Sequence, residues 1–106
     1  MASPNIFYER SPEADRDLED IFDYTESHVD LNQARGYVSA FEDVSQHLCS
    51  TPHVGKHRKD IRVGLRSLVK EQHVVFYRIL TDRIRIVRVL HGSRGHDEEK
   101  IYYCWN

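Results

Sequence analysis

The hydrophobic period of this chain changes once, and that change decides what it can fold into. From Ala14 to Leu48 the apolar residues recur at spacings of three and four; beyond the segment CSTPHVGKH (Cys49–His57) they alternate. Three-to-four spacing lines up side chains along one stripe of an α-helix, whereas alternation puts them on one face of a β-strand. A chain that keeps helical patterns in one half and strand patterns in the other builds an α+β layer, with helices on one face of a mostly antiparallel sheet.

The first half predicts a short strand in NIFYE (Asn5–Glu9) and then a helix from about Pro12 to about His28. Ser11 offers a hydroxyl to cap a free backbone N–H, Pro12 suits the first helical position, and Glu13, Asp15 and Asp17 favour the positive end of the helix dipole. Ala14, Leu18, Ile21, Phe22, Thr25 and Val29 form its apolar stripe. Only about VDLN separates this from a second stripe, Ala34, Tyr37, Val38, Phe41, Val44 and Leu48, so the two helices form an antiparallel hairpin. Gly36 weakens the second helix by up to about 1 kcal/mol against alanine and is read as a close crossing with the first. Pro52 and Gly55 stop the helix. LRSLVK, HVVFYRI and RIRIVRVL then predict three strands, with LTDR turning between the last two. The expected order is β-α-α-β-β-β in one domain, with an apolar tail from about residue 96. Arg78 and Arg88 are the polar residues on the last two strands, and a register that gives them one face makes a basic patch there.

Composition narrows the function classes. With 40% apolar and 30% charged residues among 106, the chain has the make-up of a globular protein. No apolar run approaches the roughly 20 residues of a membrane span, and MASPNIFYER lacks the pattern of a secretory signal, so the cytoplasm is the expected compartment and no membrane partner is expected. Cys49 and Cys104 match no zinc or redox spacing and are read as free thiols. The net charge of −2 hides an asymmetry: residues 1–52 carry a net −8 and residues 53–106 a net +6. Either the halves attract each other within the fold, or the basic half meets an acidic partner that the acidic half repels.

SPEADRDLEDIFDYT, QARGYVSAFEDVSQHL, TPHVGKHRKDIRVGLRSL and HVVFYRILTDRIRIVRVLHGSR together resemble the ParE branch of the RelE/ParE toxin superfamily. The likeness runs from Ile6 to Arg94. Its most specific parts are Pro52, Gly55, Arg62, Gly64, Leu65 and Arg66 in the connector, the VFYRI strand and the terminal RVLHGSR. The resemblance implies the RelE/ParE toxin fold, a helical hairpin on a small mostly antiparallel sheet. It also implies a toxin of a bacterial type II toxin–antitoxin module and growth arrest. A cognate antitoxin, ParD-like or similar, wraps the toxin and can build a higher-order complex. For the ParE branch the implied target is DNA gyrase, inhibited by binding rather than by hydrolysis; no sequence-specific DNA binding is expected. The RelE branch instead cleaves messenger RNA on the ribosome, and fold alone cannot choose between the two. A third reading is a non-toxic member that keeps only antitoxin binding.

An RNA-cleaving site needs a base, an acid and cations on the phosphate, for which His91, Arg88 and Arg78 are the candidates, with Arg94 beside them. A pI near 6.4 and the lack of a dense basic run argue against it. His91 also has a structural reading: it bonds backbone at the strand end while Gly92, free to take positive φ, lets the chain leave the sheet. Without catalysis, Arg78, Arg88, His91 and Arg94 become contacts for the target or for acidic antitoxin side chains, and apolar surface near Phe22, Tyr24 and Tyr37 suits a partner helix. His47, Cys49, His53 and His57 cluster in sequence, but their spacing fits no metal site, and nothing calls for a cofactor. Ile101, Tyr102, Tyr103 and Trp105 either pack back on the sheet or face a partner.

Overall fold

One hydroxyl starts the first helix and anchors it to the sheet. In the computed structural model, which describes residues 7–92 and 101, Ser11 Oγ accepts from the Ala14 N–H at 2.9 Å and donates to the Val87 carbonyl at 2.7 Å. Its backbone N–H donates to the Ile86 carbonyl at 2.9 Å. The strand β1 (Phe7–Arg10) therefore passes without a loop into α1 (Pro12–His28). Only Val29 and Asp30 precede α2 (Leu31–Ser50), a tighter link than the sequence predicts, because Asp30 turns the chain and caps the Gln33 N–H at 2.7 Å. Gly36 marks no close crossing: a Cβ placed there would meet nothing within 4 Å, because it opens onto a cleft.

After α2 a 3-10 turn (Pro52–Val54) leads to a two-residue strand, β2 (Lys56–His57), which alternation could not reveal at that length. The observed order is thus β-α-α-β-β-β-β, completed by β3 (Leu65–Lys70), β4 (His73–Ile79) and β5 (Arg83–His91). The connector is pinned by Tyr77, whose hydroxyl donates to the Pro52 carbonyl at 2.7 Å and accepts from the Gly55 N–H at 2.9 Å. Arg66 Nη1 donates to the Gly55 carbonyl at 2.7 Å from the other side. Gly64, at φ 94°, makes the left-handed turn into β3 that a side chain would strain.

The sheet runs β1-β5-β4-β3-β2; β1 pairs parallel with β5 and the remaining pairs are antiparallel. Right beside the helix anchor, β5 carries one more residue than β4. Phe76 pairs with Arg88, yet the next residue, Tyr77, pairs with Ile86. This bulge changes the phase of the alternation, since a one-residue shift exchanges the two faces of a strand. Ile84, Ile86 and Val89 pack with Val75 and Tyr77 against Ala14, Leu18, Phe41 and Leu48 of the helices. On the opposite face Leu65, Phe76 and Val87 pack with the fully buried Ile101. Ile101 is therefore packed back on the sheet, whereas Tyr102, Tyr103, Cys104 and Trp105 lie outside the described residues. Among the described residues no helix is long and apolar enough to cross a membrane.

Candidate functional site

The helical hairpin diverges from the end of the sheet where β5 finishes, leaving an open cleft of about 1110 Å³ between α1, α2, the β3–β4 turn and the last residues of β5. Ring contacts organise its floor. His73, first residue of β4, pairs directly with His91, and their rings meet edge to face with centroids 5.1 Å apart. The Tyr37 hydroxyl of α2 lies 2.7 Å from His73 Nδ1, and Phe41 packs edge-on against the same imidazole. Burial, then the neighbouring His91 charge, holds the His73 imidazole below its ordinary value, against a smaller opposing pull from Asp17. Burial likewise raises the Tyr37 phenol. At neutral pH Tyr37 and His73 form an uncharged, packed hydrogen-bonded pair.

Arg88, the one arginine among the described residues of the cleft, is already engaged. Arg88 Nε and Nη2 donate to the two carboxylate oxygens of Asp17, each at 2.7 Å, and Asp17 also accepts the Val89 N–H at 2.9 Å. Both side chains are nearly enclosed, at 13% and 10% exposure. A fork-to-fork pair in such a place acts as a strut between α1 and the bulge of β5. Asp17, Asp20 and Glu71 line the cleft with Arg88, so carboxylates outnumber guanidinium groups among its described lining residues. Glu71 also holds a left-handed backbone, φ 56°, in the two-residue turn beside the cleft, a conformation that favours glycine.

The candidates named from the sequence divide in two. Arg88, His91, Tyr24 and Tyr37 all line the cleft. Tyr24 is largely exposed at its rim, its ring stacked 4.0 Å from that of His28. Phe22 is half-buried on α1 and is not part of the lining. Arg78 lies on the opposite sheet face, paired across strands with Arg85 and Leu65, so it shares no patch with Arg88. Its basic neighbours are Arg62 and Arg85. Arg94 lies outside the described residues. Gly92 takes no positive φ; its N–H donates to the Gln72 carbonyl at 2.8 Å, so the strand end is tied to the neighbouring turn. Among the described residues no three His, Cys, Asp or Glu side chains converge as a metal site would require. Cys49 is a free thiol, raised by burial.

Two residues of the site escaped the sequence reading. Asp17 falls on the apolar stripe of α1, three residues after Ala14 and four before Ile21, and an acid at such a position is a legible sign of a buried partner. His73 gave no such sign, since its contacts depend on the register of a bulged hairpin.

Comparison with known proteins adds a lineage to this geometry. Residues 8–95 match the family model described as ParE toxin of type II toxin-antitoxin system, parDE. The chain is 35% identical over 86 residues to Toxin ParE1 of Caulobacter vibrioides, covering 81% of this chain and 88% of that one. It is 34% identical over 91 residues to Toxin ParE1 of Mycobacterium tuberculosis, covering 85% and 93%. Among solved structures it is similar to the chromosomal ParDE TA system from P. aeruginosa, with TM-score 0.72 and 20% identity over 82% of this chain and 96% of that one. It is also similar to the RelBE2 toxin-antitoxin complex of M. tuberculosis, with TM-score 0.64 and 21% identity over 82% and 98%.

Proposed function

The chain belongs to the ParE toxin family of type II toxin–antitoxin systems, and from that premise we propose that it arrests growth in the cytoplasm by binding DNA gyrase, catalysing no covalent step itself. A cognate antitoxin neutralises it, as the ParDE and RelBE2 assemblies among its structural neighbours suggest for a chain of this fold. The antitoxin lays an amphipathic helix in the cleft, where Tyr24, Tyr37 and Ile21 supply apolar contact.

The observation that favours a binder over a nuclease is the Asp17–Arg88 pair. Phosphoryl chemistry on RNA needs cations turned toward the phosphate. In this cleft the arginine is spent on Asp17, and Asp20 and Glu71 oppose a polyanion. The second reading, a ribosome-dependent RNA endonuclease, draws its support from the neighbouring Tyr37, His73 and His91, which resemble an acid–base set. Expressing the chain without an antitoxin and assaying gyrase supercoiling and transcript integrity in parallel separates them. Loss of supercoiling with intact transcripts supports the binder. Cut transcripts with normal supercoiling refute it, and unimpaired growth points to a member that retains only antitoxin binding.

A further inference from the structure

The walls of the cleft differ in shape and charge from its floor. On α1 the lining residues Asp17, Asp20, Ile21, Tyr24 and Thr25 recur at spacings of three and four, so one stripe of that helix faces the opening. On α2 the lining includes Gly36 and Ala40, one turn apart, with no side chain larger than a methyl group. A Cβ built at Gly36 meets nothing within 4 Å, so a second helix can approach that wall closely. Asp20 on α1 and Glu71 in the β3–β4 turn are both exposed, and neither forms an ion pair among the described residues. Glu71 reaches toward the floor: after burial, its charge adds to the raising of the Tyr37 phenol.

We propose that the antitoxin helix received by this cleft has a basic flank, whose lysine or arginine meets Asp20 and Glu71 while a leucine-sized side chain packs over Gly36 and Ala40. Charge complementarity selects that occupant. An acidic helix would set like charges against Asp20 and Glu71, which costs affinity and slows encounter. A wholly apolar helix would cover the two carboxylates without giving them a partner. Glu13, Asp15, Glu19, Asp23 and Glu26 extend the negative field along α1, and such a field steers a basic segment toward the cleft. Glu71 also holds its carboxylate at φ 56°, where glycine is favoured, and a charge placed there at a conformational cost points the same way. The lined stretch from Asp17 to Val29 is about 18 Å long at the helical rise, enough for about three turns of a partner. The proposal rests on the reading of the cleft as an antitoxin helix site and adds the chemistry of that helix.

Two labelled synthetic helices of about 20 residues test it, both with the same leucine stripe, one flanked by lysines and the other by glutamates. Each is titrated with the full chain by fluorescence anisotropy at about 0.1 M salt. The lysine helix is expected to bind about tenfold more tightly than the glutamate helix, or better. Asp20→Lys with Glu71→Lys reverses that preference. Asp23→Lys with Glu26→Lys, the same charge change on α1 outside the lining, leaves the lysine helix ahead. Gly36→Leu fills the open space on α2 and weakens the lysine helix about tenfold or more. All five positions are exposed, and thermal melts confirm that each variant folds. If neither helix binds the parent chain, the proposal falls together with the helix reading of the cleft. If both bind equally, if the Asp20 and Glu71 variant still prefers lysine, or if the Asp23 and Glu26 variant reverses the preference as well, the cleft still takes a helix and this proposal alone is overturned.

Discussion

Replacing Asp17 with alanine removes a carboxylate that accepts three hydrogen bonds: two from Arg88 at 2.7 Å and one from the Val89 N–H at 2.9 Å. The guanidinium it leaves is 13% exposed, so water replaces the lost partner poorly. Breaking an enclosed ion pair from one side costs about 3–5 kcal/mol, most of it the burden of the charge left behind. A domain of this size has about 5–15 kcal/mol in all, so Asp17→Ala should bring the urea midpoint down by about a fifth or more. The strut account makes a sharper claim about the pair as a unit. Replacing both partners with apolar residues, Asp17→Leu with Arg88→Met, removes the charge together with its partner. Equilibrium urea unfolding should then return to within about 1 kcal/mol of the parent, apart from a further cost of about 1–3 kcal/mol for the buried Val89 N–H left without an acceptor. The cycle of single and double variants isolates the coupling. An Asp17→Ala loss below about 1 kcal/mol would refute the reasoning, since Arg88 would then be available to a partner at little cost. If the double variant folds and still arrests growth, Arg88 holds the fold and does not contact the target.

Two further outcomes follow from the same geometry. Gly55→Ala would place a Cβ 2.5 Å from Tyr77 Oη and 2.8 Å from the Ser67 carbonyl, both held in place, so chemical denaturation should show a loss of about 2–4 kcal/mol; a change under about 0.5 kcal/mol would mean the connector is not clamped. His73 is held neutral below its usual 6.5, so the unfolded chain takes up a proton there that the native chain refuses. Stability therefore falls as pH drops through 6.5, by at most about 1.4 kcal/mol per pH unit, and His73→Gln should flatten that slope just below pH 6.5.

The elements were legible wherever one period ran long enough. Proline, serine and the apolar stripe placed α1 at Pro12–His28, and the structure begins and ends it there. The two-residue β2 was not legible, because alternation needs several residues to appear. The bulge was not legible either, and it governs the site. Without the extra residue of β5, the register at the open end of the hairpin would set His73 opposite Leu90; with it, His73 meets His91. A one-residue choice of this kind is made by tertiary contacts, here the Ser11 bonds to the carbonyls of Ile86 and Val87, and no local pattern in RIRIVRVLH announces it. The expected basic patch failed for a related reason. Arg78 and Arg88 look equivalent along their strands, yet cross-strand pairing turns Arg78 toward Arg85 while α1 presents Asp17 to Arg88.

This division of the arginines bears on how one fold can serve toxins of different chemistry. The same sheet has two faces, and charge has been distributed unequally between them. On the helix side a carboxylate from α1 neutralises Arg88, the one arginine among the described cleft residues, and Asp20 and Glu71 add negative charge. What remains there is an apolar floor with a neutral Tyr37–His73 pair, a surface suited to packing a helix rather than to stabilising a phosphate in a transition state. On the outer side Arg83 and Arg85 hold Glu9, and Arg83 also pairs with Asp82. On the proposed binder reading, Asp17 keeps Arg88 from a phosphate. Asp17→Asn keeps the size and most of the hydrogen bonding of the side chain while withdrawing its charge, so it tests electrostatics apart from packing. If the variant remains folded and cuts no RNA, then neutralisation of Arg88 was not what kept the cleft from catalysis, and the incomplete acid–base set around His73 and His91 is the deeper reason.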